Sequence, residues 1–253
     1  MASRWPFLDH PGPLAFAHRG GAGDAPENTL PAFAQAVALG YRYVETDAHV
    51  TADGVLLAFH DHVLDRVTDR TGVIADLPWS EVRRARVGGT EPIPRLEELL
   101  ATWPDLRVNI DPKHDAAVDP LARAIERTGA IDRVCVGSFS DRRLRRLRVR
   151  LGERLCWSHG PRGIARARLA SLGLPAGPLA APCVQVPVRQ GRVTVVDPRF
   201  VRHLHGRGIQ VHVWTIDEEA EMERLLDLGV DGIMTDRPAA LRAVLERRGA
   251  WVD

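Results

Sequence analysis

The sequence predicts a single (β/α)8 barrel of the TIM type, and three observations carry that prediction. Short apolar, β-branched runs alternate with amphipathic stretches, about eight such runs can be counted, and the chain has 253 residues. Alternation implies a parallel sheet, and α/β barrels commonly use ~250 residues as one domain. Eight repeats fit a closed barrel better than an open doubly wound sheet. Size scaling gives a folded surface of roughly 11,000 Å² against roughly 40,000 Å² unfolded, so the core needs no covalent staples. Hydrophobic residues at 45%, charged residues at 26% and ordinary glycine and proline counts exclude disorder, collagen and coiled coil as the main architecture.

In chain order, the strand candidates are 14–18, 43–50, 108–111, 134–139, 155–159, 184–188, 211–216 and 232–235. Between most of them lie helical patterns, over 30–39, 96–103, 121–128, 144–151, 200–205, 222–228 and 241–247. Asn28 or Thr29 is the expected cap of the first helix. Residues 51–94 are too long for one crossover. Asp53 and Gly54 mark a tight turn before 55–60, so strand two continues into a small hairpin-like excursion. No linker of Ser/Gly type and no longer repeat interrupts the chain. One domain over 1–253, with its core at about 14–245, is expected.

Lys+Arg of 34 against Asp+Glu of 33 gives a net charge of +1, which argues against binding nucleic acid through a general basic field. Lys113 is the only lysine; the other basic residues are arginines. Cys135, Cys156 and Cys183 are odd in number and widely spaced, suggesting neither a disulfide framework nor a zinc knuckle. Residues 1–13 lack the continuous apolar stretch of a secretory signal, and no 18-residue apolar run occurs elsewhere. A cytoplasmic protein without a stable membrane anchor is expected.

In a parallel barrel, function collects at the C-terminal strand ends, where the loops converge on one mouth. Strand one ends there in His18, Arg19 and Gly20. Glu45 and Asp47 lie two apart on strand two, and so share a face, as do Asn109, Asp111 and Lys113 at the end of strand three. His60 with Asp61 closes the excursion. Three carboxylates converging in a mouth raise one another's pKa unless a cation is present. Glu45, Asp47 and Asp111 are therefore natural ligands for one hard divalent ion, Mg²⁺ or Ca²⁺ in preference, with Mn²⁺ also suited. The competing account is a structural network in which Arg19 and Lys113 pair them. His49, His114, His159 and His212 read as ordinary satisfied histidines, since spacing joins none of them to other convergent polar groups. Trp214 shares a strand face with His212 and serves either core packing or a substrate pocket wall.

The segments AHRG at 17–20, PENT at 26–29, ETD at 45–47, TADG at 51–54, FHD at 59–61, IPRLEELL at 93–100, VWTID at 213–217 and DGIMTDRP at 231–238 together form a specific pattern. On these segments the chain resembles the glycerophosphodiester phosphodiesterase family from about residue 14 to 245. The resemblance implies His18 and His60 as acid and base, Arg19 on the substrate phosphate, Glu27 in support, and metal ligation by Glu45 and Asp47. The family's third acidic ligand is usually Glu, one residue, then Lys; here Asp111, Pro112 and Lys113 stand in that place, one methylene shorter. Lys113 aligns with a family lysine that faces the phosphate. The implied reaction is metal-dependent hydrolysis of a small glycerophosphodiester to glycerol 3-phosphate and an alcohol.

Three other readings compete. One is phospholipase D-like cleavage of lysophospholipid or sphingomyelin, with a cyclic phosphate product in prospect; few apolar signals for a membrane-facing mouth rank it second. Another is a Schiff-base aldolase using Lys113, which the surrounding carboxylates oppose by keeping the amine protonated. The third is a non-catalytic phosphate-binding barrel, which the presence of both His18 and His60 opposes.

Overall fold

The computed structural model describes residues 4–23 and 25–252. Residues 1–3, Asp24 and Asp253 lie outside the description, and with them the extreme ends of the one-domain expectation and the start of the N-terminal stretch.

The expected barrel forms. Its strands are β1 Leu14–Ala17, β2 Tyr43–Val50, β3 Arg107–Pro112, β4 Val134–Val136, β5 Cys156–Trp157, β6 Cys183–Val186, β7 Gln210–Val213 and β8 Gly232–Thr235. They pair in the order β5-β4-β3-β2-β1-β8-β7-β6. A parallel bridge between Ser158 and Cys183, with the His159 N–H donating to the Cys183 carbonyl at 3.0 Å, nearly closes the ring. The helices are α1 Leu30–Ala38, α2 Leu96–Thr102, α3 Val118–Thr128, α4 Asp141–Leu151, α5 Pro161–Ser171, α6 Pro198–His205, α7 Glu219–Leu228 and α8 Pro238–Arg247.

Alternation along each strand sends one set of side chains outward under the helices and the other into the barrel. Val108, Ile110, Val184, Val211 and Ile233 face the helix layer, where Leu99, Leu121, Ile125, Leu147, Phe200 and Leu241 cover them. Phe16, Tyr43, Met234 and the three cysteines belong to a separate interior cluster. β2 is buried over its whole length, with Tyr43 in the interior cluster and Glu45 and Asp47 above it at the cavity.

Most helices begin about three residues before their first expected position. Their opening turns carry mainly proline, arginine or acidic residues that give no apolar stripe, the buried Val118 of α3 apart. Thr29 caps α1, its Oγ1 accepting from the Ala32 N–H at 3.3 Å, and Asp197 caps α6 by accepting from the Phe200 N–H at 2.9 Å.

The excursion after β2 opens as expected. Thr51 Oγ1 donates to Asp53 Oδ1 at 2.6 Å, Gly54 takes φ +85°, and Leu56–Ala58 returns antiparallel along β2. Leu57, Phe59, Leu64, Ile74, Val82 and Ile93 give the excursion a small core of its own. At the opposite, N-terminal end of the barrel, the one-turn 3-10 helix Pro6–Leu8 acts as a plug. Tyr43 Oη donates to the Phe7 carbonyl at 2.9 Å, Gln210 Nε2 to that of Leu8 at 3.3 Å and Arg107 Nη1 to that of Asp9 at 3.1 Å. Among the described residues, no helix is long and apolar enough to cross a membrane.

Candidate active site

A cavity of about 710 Å³ opens at the C-terminal ends of the strands. His18, Arg19, Glu45, Asp47, His60, Asp111, Lys113 and Trp214 all line it; Glu27 stands just behind Arg19.

The loop after β1 holds two residues in a left-handed backbone conformation. Arg19 at φ 52° and Asn28 at φ 56° are the only non-glycine residues with positive φ among the described residues. Such conformations cost of order 1–3 kcal/mol each and persist only where surroundings over-determine them. Here the Arg19 N–H donates to Glu45 Oε2 at 3.3 Å and the Asn28 N–H to the Arg19 carbonyl at 2.8 Å. Asn28 Oδ1 accepts from Thr46 Oγ1 at 2.7 Å while its Nδ2 donates to Asp47 Oδ2 at 3.4 Å. Gly20 allows the close packing: a Cβ there would lie 2.9 Å from that of Ala32.

Each histidine is held through Nδ1 by a carboxylate. His18 Nδ1 lies 2.7 Å from Asp236 Oδ1, just beyond β8, and its Nε2 is 3.7 Å from Glu45 Oε2. Burial alone would lower the His18 pKa, but the charge of Glu45 and the bond to Asp236 outweigh it and raise the net value. Asp236 is fixed in turn by its own N–H donating to Asp217 Oδ1 at 2.8 Å. His60 Nδ1 lies 2.5 Å from Asp61 Oδ1. Arg66 Nε donates to Asp61 Oδ2 at 2.5 Å, and the same guanidinium donates to both Glu27 oxygens at 2.7 and 3.0 Å. Burial opposes ionisation of Asp61, yet the bonds from Arg66 and His60 take its pKa down to about 2. Arg19 Nη1 then donates to Glu27 Oε1 at 3.0 Å, so a continuous chain of charge pairs joins His60 to the β1 loop.

The β2–β3 register sets Glu45 beside Asn109 and Asp47 beside Asp111, which brings the acids of two strands together. Lys113 Nζ lies between two of them, 2.7 Å from Asp47 Oδ1 and 2.9 Å from Asp111 Oδ2. The pairing weighed from the sequence is thus present alongside the acid cluster, and oxygens of all three acids do not come within 4.8 Å of one another. Burial followed by the charge of Asp47 pushes the Glu45 pKa well up, and burial also raises that of Asp111. Burial works against the Lys113 ammonium, but Asp47 and Asp111 outweigh it and keep the amine protonated, which removes it as a Schiff-base nucleophile. Asp111 Oδ1 is buried and has no hydrogen-bond partner among the described residues. An orphaned carboxylate oxygen beside two further buried acids fits a hard divalent cation.

Trp214 meets Phe139 edge to face, with ring centroids 5.9 Å apart. Phe139 is 68% exposed and lines the cavity together with Ile164 and Val193, so Trp214 is part of an apolar mouth wall. This corrects the expectation of few apolar signals there: these residues come from separate loops and helix α5, and no one segment of sequence reads as an apolar patch. The remaining histidines have local partners. His49 lies 2.9 Å from the His60 carbonyl, His114 caps the turn at Ala116, His159 Nε2 accepts from the Ala181 N–H at 3.2 Å, and His212 pairs with Gln210. His159 also borders the cavity.

Asp236, Asp61 and Arg66 carry no role in the expectations drawn from the sequence. The rule that found His18, a polar residue just past the end of a strand, also applies to Asp236; Arg66 lies in the excursion, where no strand end points to it.

The model described as the glycerophosphoryl diester phosphodiesterase family matches residues 18–240. The Mycobacterium tuberculosis protein named "Probable glycerophosphodiester phosphodiesterase 2" is 44% identical over 252 residues, covering 97% of this chain and 95% of its own. A lysophospholipase D of Rattus norvegicus is 27% identical, covering 92% of this chain and 86% of its own. The solved structure of an Oleispira antarctica phosphodiesterase, in complex with the product sn-glycerol-3-phosphate, superposes with a TM-score of 0.79 at 24% identity, covering 93% of this chain and 97% of that one. With the family model spanning residues 18–240 and a 44% identical relative matched almost end to end, the chain belongs to the glycerophosphoryl diester phosphodiesterase family and is a phosphoric diester hydrolase.

Proposed function

We propose that this chain hydrolyses small glycerophosphodiesters to glycerol 3-phosphate and an alcohol, with His18 and His60 as the acid–base pair and one divalent ion held by Glu45, Asp47 and Asp111. Mg²⁺ or Ca²⁺ suits these hard oxygen donors, and Mn²⁺ is the next choice. The observation that carries the reading is the matched pair of histidines. Each has Nδ1 tied to a carboxylate, which leaves Nε2 as the ring nitrogen for substrate in a cavity that also holds Arg19 and Lys113. The product complex of the Oleispira antarctica phosphodiesterase agrees with a ligand of this kind.

A phosphodiester monoanion repels nucleophiles, so positive charge must meet its oxygens as charge shifts to the leaving alkoxide. A divalent ion held by Glu45, Asp47 and Asp111 would supply such charge as a Lewis acid. Arg19 presents a planar guanidinium braced from behind by Glu27, and Lys113 presents a compact ammonium. One histidine accepts the proton of the attacking oxygen, from water or from the glycerol 2-hydroxyl. The other protonates the departing alcohol. Asp236 and Asp61 fix the tautomers by accepting from Nδ1–H.

The test is release of glycerol 3-phosphate from glycerophosphocholine by purified protein. Exhaustive chelation should abolish release and added Mg²⁺ or Ca²⁺ restore it, while His18→Ala and His60→Ala should each lower kcat by at least ~10². Turnover that survives complete metal removal, checked by elemental analysis, ends the metal assignment; normal turnover by either variant ends that histidine's role.

The apolar wall favours a second reading, in which the glycerol carries one acyl chain lying along Phe139, Ile164 and Val193. Trp214→Ala should then raise KM for lysophosphatidylcholine far more than for glycerophosphocholine; equal changes on both substrates remove this reading.

A further inference from the structure

Below the cavity floor the barrel interior holds a second cluster that the phosphodiester chemistry does not use. Cys135 on β4, Cys156 on β5 and Cys183 on β6 are buried free cysteines far apart in the chain. The β4–β5 register sets Cys135 beside Cys156, and the Ser158–Cys183 bridge brings β6 against the same strand end. All three sulfurs lie within 4.8 Å of one another, and Cys135 Sγ is 4.0 Å from Cys183 Sγ. None of the three lines the cavity. Gln185 and Asn109 do, and Gln185 Nε2 donates to Asn109 Oδ1 at 2.8 Å while standing 4.0 Å from Cys135 Sγ. This amide pair separates the thiols from the acid cluster.

We propose that Cys135, Cys156 and Cys183 form a three-coordinate site for one soft, thiophilic monovalent metal ion of the Cu(I) class, distinct from the hard-ion site above it.

Two arguments select that ion. The first is size: with a metal–sulfur bond of ~2.3 Å, three sulfurs in a plane around one ion are ~4.0 Å apart. The Cys135–Cys183 separation already has that value, so the site closes with little movement. The second is donor type. The trio offers only sulfur, which selects soft ions over Mg²⁺ or Ca²⁺. No fourth His, Cys, Asp or Glu among the described residues joins the set, so the closed tetrahedral shell of a structural zinc site is incomplete. Loading converts thiols to thiolate ligands and releases their protons to solvent. Because the thiols are buried, the ion enters as the barrel folds or during local opening of β4 to β6.

The experiment offers Cu(I), delivered anaerobically from a competing chelator, to the reduced full-length chain both after folding and during refolding. Copper retention is measured by elemental analysis and copper–ligand distances by X-ray absorption. The proposal expects one copper per chain with three sulfur neighbours at roughly 2.3 Å. Cys135→Ala, Cys156→Ala and Cys183→Ala should each reduce the sulfur count to two and weaken retention at least tenfold. If a variant does not fold, the wild-type sulfur count decides alone. No retained copper by either route, nitrogen or oxygen neighbours in place of sulfur, or a disulfide formed without copper each overturns the site and leaves the three cysteines as core packing.

Discussion

At the residue scale, each of the two cavity histidines is held from behind by a carboxylate. Asp236 holds His18 at 2.7 Å and contributes, after Glu45, to raising its pKa. Asp236→Asn keeps a hydrogen-bonding group but removes the charge. It should lower kcat at least ~10-fold and move the His18 limb of the pH–rate profile to lower pH, because the protonated ring loses a stabilising partner. An unmoved profile would leave Asp236 structural. Lys113 is tested by its replacement. Between Asp47 and Asp111 only a compact ammonium fits with Nζ near both, and an arginine would place a longer planar fork there. Lys113→Arg should therefore lose kcat/KM in a way that added metal does not rescue, with Lys113→Ala worse still. Wild-type kcat/KM in the arginine variant, measured at saturating metal, removes Lys113 from the phosphate. The candidate site was legible in the sequence to different degrees. Strand-end position and residue type pointed to His18, Glu45, Asp47, Asp111 and Lys113; the charge chain through Arg66 was not legible, because it depends on how the excursion folds back.

At the element scale, the strands were easier to read than the helices. Apolar β-branched runs mark β2, β3, β6 and β8 directly, whereas α5 leaves no signal in the sequence and no helix is expected between 159 and 184. The reason lies in its composition: over Pro161–Ser171 only Gly163 and Ala167 are buried, so arginines and small residues produce no apolar stripe. Gly163 has a packing cause. A Cβ there would come within 2.3 Å of His159 Nδ1, and His159 is buried with Nε2 held by the Ala181 N–H. Gly163→Ala gains ~1 kcal/mol of helix propensity but overpacks the ring at a cost of ~1–3 kcal/mol. A net loss of stability is expected, read as a lower urea midpoint with unchanged m-value. A stabilised variant would show that His159 moves aside freely.

At the scale of the whole molecule, the barrel is finished by segments that are not part of its repeat. Phe7 is completely buried in the N-terminal plug and meets the Tyr43 ring edge to face at 5.3 Å. Phe7→Ala should cost ~3–5 kcal/mol in denaturant unfolding, while kcat at the far end of the barrel stays near wild type. A loss under ~1 kcal/mol would mean the plug is only loosely seated. By itself the sequence determined the barrel, the single mouth and most of the charged side chains that line it, because alternation along strands is local and strand ends in a parallel barrel all open one way. Only the tertiary structure decided what those side chains touch. Asp236 reaches His18 from the other end of the chain, Arg66 ties the excursion to the β1 loop, and three cysteines that look unrelated in sequence meet inside the barrel. These contacts depend on ring closure and strand register, which bring distant residues within a few ångströms and leave no periodic trace in the chain.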